Sequence, residues 1–268
     1  MRWSRSFAMV SVVLVLGGGL FVWRWEQRGP GRASVGDAVG RFRASSTSRP
    51  LSRSREPRPG VYLYAGIGGE SLSFLSTRQA QGPDEPGTVT LEPSGCWQFR
   101  IDFNSFHDQT WNRCSARGRL VETGGTTGQR FDFLTFKTSE HSDVTCKPPI
   151  VLADVAAAPG RHWPVQCTGH SETTKTTFAQ TGVSVFVGRE VIEVGRKSVP
   201  ALHTREDLRL SGGQTGEVRV DVWFATASGL PLKEAHLIRV ASPAPAPLNH
   251  VTYTEIGNWQ LTSTTPRT

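Results

Sequence analysis

The stretch CWQFRIDF, residues 96–103, alternates without a break: Trp97, Phe99, Ile101 and Phe103 are apolar, whereas Cys96, Gln98, Arg100 and Asp102 are not. A period of two is how a half-buried strand reads. Its cysteine sits on the polar side, in line with solvent-facing groups. Placing Cys96 opposite Cys114 in an antiparallel hairpin explains this. Phe99 then faces Trp111 and Trp97 faces Arg113, both favourable cross-strand pairs, and the chain reverses around Asn104, Ser105 and Phe106. Cys96 is expected to face away from the core because it ties one strand to its neighbour.

The four cysteines, Cys96, Cys114, Cys146 and Cys167, all lie in the C-terminal part, and none forms a C-x-x-C pair. That spacing argues against a zinc site with close ligand pairs. Cys146 and Cys167 bracket a loop bearing Pro148, Pro149, Pro159 and Pro164. Two disulfides, Cys96 with Cys114 and Cys146 with Cys167, would belong to an oxidising compartment. The competing reading is four reduced, buried thiols in a cytosolic domain.

Working outward, strand periodicity continues from Gly60 to the C-terminus. Short β-prone runs occur at residues 61–64, 88–91, 131–136 and 183–187, separated by the turn-forming clusters GPDEPG, TGGTTG and SGGQTG. Residues 191–199 read as a hairpin, and residues 218–224 read as a strand paired with residues 230–240 after a turn. The one helix-like stretch is VLADVAAA, residues 151–158. The expectation is an all-β fold: a single antiparallel meander domain, residues 60–268, of about a dozen strands, forming a curved sheet, half-barrel or sandwich.

The segment before it differs in composition. Residues 6–23, SFAMVSVVLVLGGGLFVW, carry no charge and span roughly 27 Å as a helix, enough for a bilayer core. Trp23 and Trp25 stand where an interfacial aromatic belt would be. A cleaved signal peptide competes with this reading, but Phe21, Val22 and Trp23 are too large for an A-x-A-like cleavage site. Residues 1–25 are therefore expected to be a single-pass signal anchor with the β domain outside the cytoplasm. Arg24, Arg28 and Arg32, just beyond the span, weigh against export under the positive-inside rule. Residues 26–59, rich in Arg, Ser, Pro and Gly, are expected to be a disordered linker, too poor in large apolar residues to order itself. Its Arg-Ser run could lie along anionic headgroups.

Charge follows the same division. Residues 1–59 hold eleven Arg against Glu26, Asp37 and Glu56, a net +8, while the remaining 209 residues hold 19 Lys and Arg against 20 Asp and Glu, a net −1. A neutral domain does not suggest a nucleic-acid partner.

The segments GGESLSF, SGCWQFRIDFNS, TCKPP, SGGQTGEVRVDVWFATASGLPLK and VTYTEIGNWQLTS, spread over most of residues 60–268, resemble an uncharacterised family of actinobacterial membrane-anchored envelope proteins. The resemblance implies an envelope location and the extent of the domain. DVWFATASGLPLK is also similar to the closing hairpins of curved-sheet lipid carriers of bacterial envelopes, such as the lipoprotein-localisation carriers.

Chemistry-bearing motifs are absent: there is no G-x-S-x-G, H-E-x-x-H, Walker loop or S-x-x-K. GIGG, residues 66–69, lacks the third glycine of a dinucleotide fingerprint and reads as a turn or bulge. His107 with Asp108, and His203 near Glu206 and Asp207, could be acid-base pairs. By period two, however, His203, Arg205, Asp207 and Arg209 form a solvated ladder on one face. His141, His162 and His170 could bind a metal only if the neighbouring thiols were free. No catalytic, cofactor or metal site is expected. The expected function is noncatalytic: a membrane-tethered domain binding a hydrophobic or lipid ligand or an envelope protein partner. Trp97, Trp111, Trp163, Trp223 and Trp259 could line such a site or simply pack the core. The alternative is an extracytoplasmic hydrolase with a nonlocal active site.

Overall fold

The computed structural model describes residues 30–45, 56–75, 78–92, 95–116, 118–133, 136–244 and 248–268. The expected membrane span, residues 1–25, and linker residues 26–29 and 46–55 lie outside the described residues. Among the described residues no helix is long and apolar enough to cross a membrane.

One helix, α1 (Val35–Ser45), precedes thirteen strands: β1 (Gly60–Leu72), β2 (Arg78–Gln81), β3 (Asp84–Leu91), β4 (Cys96–Asn104), β5 (His107–Ala116), β6 (Arg119–Phe133), β7 (Phe136–Asp154), β8 (His162–Ser171), β9 (Thr176–Val194), β10 (Lys197–Gly212), β11 (Thr215–Ala225), β12 (Pro231–Pro243) and β13 (His250–Leu261). From β3 onward each strand pairs antiparallel with the next. β2 and β3 share one position beside β1, with Gly68 opposite Gln81 and Gly60 opposite Val89. β13 then returns to β1, from Tyr64 opposite Leu261 to Leu72 opposite Tyr253. That pairing closes a barrel of twelve strand positions and leaves no long open edge. The meander is as expected, but its ends join, which corrects the open half-barrel and sandwich forms.

The opening stretch lies in β4 with the expected register. Cys96 is opposite Cys114, Trp97 opposite Arg113 and Phe99 opposite Trp111. Both disulfides form, Cys96 with Cys114 and Cys146 with Cys167. They occupy different faces. Cys96 shares the outward side of β4 with Arg100, whereas Cys146 and Cys167 are buried and pack in the barrel core. The hairpin of β9 and β10 turns at Gly195 and Arg196, and β11 pairs with β12 with Val218 opposite Ile238.

Several local expectations are corrected. GPDEPG and TGGTTG lie largely within β3 and β6, because barrel pairing overrides their turn propensity. Residues 151–154 end β7 as strand, with the Val151 and Leu152 carbonyls accepting hydrogen bonds from Ser184 and Thr204, so residues 151–158 form no helix. GIGG lies inside β1. A Cβ on Gly66 would stand 2.2 Å from the Glu85 carboxylate, so the glycine makes room for a buried acid.

The linker expectation is also corrected over part of its length, since α1 forms at residues 35–45. Ser34 Oγ accepts the Asp37 amide hydrogen at 3.1 Å, capping its start. Ala38 and Phe42, one turn apart, bury against Val61, while Arg41 pairs with Asp102 and Arg43 donates to the Thr268 carbonyl. Composition alone undercounts such a segment, because two apolar residues on one helical face suffice when the barrel wall supplies their partner.

Candidate ligand site

Alternation along each strand sends one set of side chains into the lumen. Toward the barrel end formed by the turns after β3, β5, β7, β9 and β11, here the base, that set is large. Tyr64, Trp97, Phe99, Phe224, Leu232, Trp259 and Leu261 are essentially inaccessible to solvent. Their rings interlock: Tyr64 lies 4.9 Å from Trp259 and 5.7 Å from Phe99, both edge-on, and Phe99 stacks on Trp111 at 5.6 Å. These contacts plug the base.

The other half is hollow. A cavity of about 780 Å³ opens at the opposite end, the mouth, where its lining reaches the exposed Thr173 and Pro243. Its walls differ. On β10 to β12 the apolar Leu208, Leu210, Val218, Val220, Ile238 and Val240 stand above the polar Glu206, Glu234 and His236. Around the rest of the lumen, β5 to β7 and β9 mix Gln109, Thr126, Thr127, Ser142 and Gln180 with Trp111, Phe131, Val144, Ile150 and Phe178. The chain thus builds an amphipathic space rather than a uniformly greasy one.

Between plug and cavity runs a belt of buried ionisable groups. Arg113, 2% exposed, donates from Nε to Glu122 at 3.1 Å and stacks its guanidinium against Trp111 and Phe224. Burial raises the Glu122 carboxyl, opposed by that arginine. Glu206 lines the cavity beside them. Burial, reinforced by Glu122 and opposed by Arg113, pushes it up to about 8.

The belt continues through two histidines. His236 Nδ1 lies 3.0 Å from Glu234 Oε1, and its Nε2 lies 3.3 Å from Glu255 Oε1 without hydrogen-bond alignment. His107 Nδ1 is 3.2 Å from Glu70 Oε2 and 3.7 Å from Glu255 Oε1. Burial opposes charge on both rings, yet their carboxylate neighbours win. His107 is raised to about 8 by Glu70 and Glu255, and His236 to about 10 by Glu255 and Glu234. Conversely, burial would raise Glu255, but the two imidazoliums hold it well below the usual carboxylate range. Tyr253 completes the junction, its hydroxyl 2.7 Å from Glu255 Oε2 and 2.9 Å from Glu70 Oε2. Burial raises Glu85 to about 8 on the same side of the lumen. Gly257 leaves clearance for this packing: a Cβ there would meet His236 Nε2 at 2.8 Å.

The acid-base pairs proposed from sequence are rearranged. His107 is not an exposed hairpin tip but is 1% exposed, and it faces Glu70 and Glu255 rather than Asp108. His203 stands in the outer ladder, 2.8 Å from both Glu190 and Asp221 and stacked on Trp223 at 4.1 Å, while Glu206 points to the opposite side. The ring nitrogens of these buried histidines face carboxylates and amides rather than a serine, threonine or cysteine hydroxyl or thiol. Neither the catalytic pair nor a nucleophile for the hydrolase alternative assembles among the described residues. No cluster of three or more His, Cys, Asp or Glu with metal-binding geometry occurs among the described residues, and all four cysteines are bonded to one another. Of the five tryptophans, Trp97 and Trp259 are plug, Trp223 lies on the outer face, Trp163 packs against the core, and Trp111 alone lines the cavity.

The belt residues Glu122, Glu234, Glu255 and His236 were not singled out by sequence, and Glu206 was named only as a partner for His203. Their signal was present. Each occupies the inward phase of its strand: Glu206 alternates with Thr204 and Leu208, and Glu255 with Tyr253 and the lumen-facing Gly257.

No protein-family model and no curated protein matches the chain. Among solved structures, the chain is similar to the crystal structure of the hypothetical lipoprotein YmcC from Escherichia coli, with 13% identity and a TM-score of 0.32 over 72% of this chain and 83% of that one.

Proposed function

We propose that this protein is a noncatalytic, membrane-tethered envelope protein that holds an amphipathic, lipid-like molecule in its barrel. The carrying observation is the cavity and its mixed apolar and polar lining. At about 780 Å³ it falls inside the roughly 300–1,000 Å³ typical of small-molecule sites. An acyl or other hydrocarbon portion would lie on Val218, Val220, Ile238 and Val240, and a hydrogen-bonding portion would reach Thr126, Thr127, Gln109 and Glu206. The two disulfides support an oxidising, extracytoplasmic compartment. The uncharged residues 6–23 support a tether.

Native mass spectrometry of the protein released gently from its own membranes tests this. A discrete adduct of lipid-like mass that dissociates on unfolding is the expected result. A bare protein mass under conditions that preserve the fold would contradict it.

A further inference from the structure

We propose that the mouth of the barrel docks against a lipid bilayer, so that the cavity opens directly onto the membrane surface. This inference rests on the preceding reading of residues 6–23 as a membrane anchor, and it adds an orientation that the anchor alone does not specify.

The exit point of the chain supplies the first observation. The Gly31 carbonyl accepts the Ser105 amide hydrogen at 2.9 Å. Ser105 lies in the turn between β4 and β5, one of the turns that ring the mouth. From there α1 runs along the outside toward the base, where Phe42 packs on Val61 and Arg43 reaches Thr268. The N-terminal segment therefore leaves the barrel at its mouth. Trp23, the last residue of the uncharged run, is seven residues before Pro30. Seven residues reach about 25 Å at full extension. A membrane-embedded anchor of that reach keeps the mouth side of the barrel near the bilayer.

The rim supplies the second. Among the described residues, the exposed large apolar side chains that stand in turns are Phe74 and Leu248, at 36% and 42% exposure, and both are at the mouth. Arg130, stacked over Phe106 at 3.9 Å, and Lys175 stand on the same rim and suit anionic headgroups. Among the described residues the base turns carry no exposed large apolar side chain, although Arg161 and Arg196 are exposed there. A face with apolar tips, mixed charge and a cavity opening fits a bilayer surface better than a protein partner, whose interface would need a continuous packed core.

A competing orientation uses the barrel's side, where Ile67, Ile256 and Leu237 are exposed on the adjacent strands β1, β13 and β12. One experiment separates the two. Full-length protein is inserted into vesicles of equal parts phosphatidylglycerol and phosphatidylcholine, carrying a fluorophore on one introduced cysteine: Leu248→Cys at the rim, Ile256→Cys on the side or Arg196→Cys at the base. Quenching by nitroxide-labelled lipid is then compared. Strong quenching at position 248 with none at 196 and less at 256 is the expected result, together with its loss when Phe74→Asp and Arg130→Glu are added and circular dichroism is unchanged. Strongest quenching at 256 or 196, equal quenching at all three, or none at any would overturn the docking. Lumen occupancy is read separately on the same samples by displacement of a naphthylamine probe. An empty lumen with a quenched rim would sink only the ligand reading, and a filled lumen with an unquenched rim would sink only the docking.

Discussion

The two halves of the barrel obey one rule of alternation and reach opposite ends. At the base, inward positions hold Trp97, Phe99, Phe224 and Trp259, whose volumes fill the lumen. Toward the mouth, β5 and β11 to β13 bring in Gln109, Val220, Ile238 and Val251, and a cavity remains. Twelve strand positions enclose more space than the roughly eight at which ordinary side chains fill a barrel. Interlocked aromatic rings plug the base, whereas the mouth half, despite Phe131, Phe178 and Tyr253 in its lining, stays open. The belt of Arg113, Glu122, Glu206, Glu234, His236 and Glu255 marks the boundary, where buried charge is tolerated because each ionised group meets an opposite one.

The sharpest contrast is in packing. Trp259→Ala should destabilise the protein by about 3–5 kcal/mol, whereas Val240→Ala, whose methyls already border empty space, should cost less than about 1.5 kcal/mol. Urea unfolding of both variants measures the difference. Equal losses would mean that the mouth half is as tightly filled as the base.

The disulfides sharpen the same contrast between inside and outside. They close segments of similar size, with sequence separations of 18 and 21. Replacing both cysteines of either pair by serine should cost about 3 kcal/mol from chain entropy. The Cys146–Cys167 pair should cost more, because its serines would bury hydroxyls in the core. A larger loss from the outward Cys96–Cys114 pair would break that distinction.

Next in size is the belt's response to pH. Glu85 and Glu206 are raised from 4.5 to about 8, His107 from 6.5 to about 8 and His236 from 6.5 to about 10. In each case the folded state binds its proton more tightly than the unfolded chain. Their contribution to stability is therefore fully present below the unfolded values and lost as pH rises through the folded ones. Glu255, lowered by His107 and His236 against its burial, acts in the opposite sense at acid pH. Unfolding free energy should fall between pH 6.5 and 8, and Glu206→Gln should flatten that fall. A stability that rises across this window would contradict the belt's electrostatics.

The smallest effect belongs to the outer ladder. Arg219 pairs with Asp207 at 2.7 Å but is well exposed. Arg219→Ala should leave the thermal midpoint within experimental error.

Periodicity made the in-or-out assignment legible along β4, β5, β10 and β11, including the Cys96 to Cys114 register and the outward side of His203, Arg205, Asp207 and Arg209, although His203 is buried among Glu190, Asp221 and Trp223 rather than solvated. Closure was not legible, because pairing of β1 with β13 joins residues 181 to 197 apart, from Leu72 with Tyr253 to Tyr64 with Leu261, and no local pattern reports it. The belt was hidden for a related reason. Glu70, His107, His236 and Glu255 come from four strands, and a single carboxylate in an apolar phase looks like a lapse in alternation until its partners are placed around it. Whether a lumen is filled or hollow depends on summed volumes across the barrel, which one strand's sequence does not carry. The helix Val35–Ser45 was missed because its stability depends on Val61 and the barrel wall.

Equilibrium titration with a solvatochromic naphthylamine, comparing the wild-type protein with Val220→Trp, tests the hollow half as a ligand site most directly. Saturable binding at one site per chain, lost in Val220→Trp while its unfolding midpoint is maintained, is the predicted result. Absence of saturable binding, or binding unchanged by a tryptophan placed in the cavity wall, would contradict the lumen as the site.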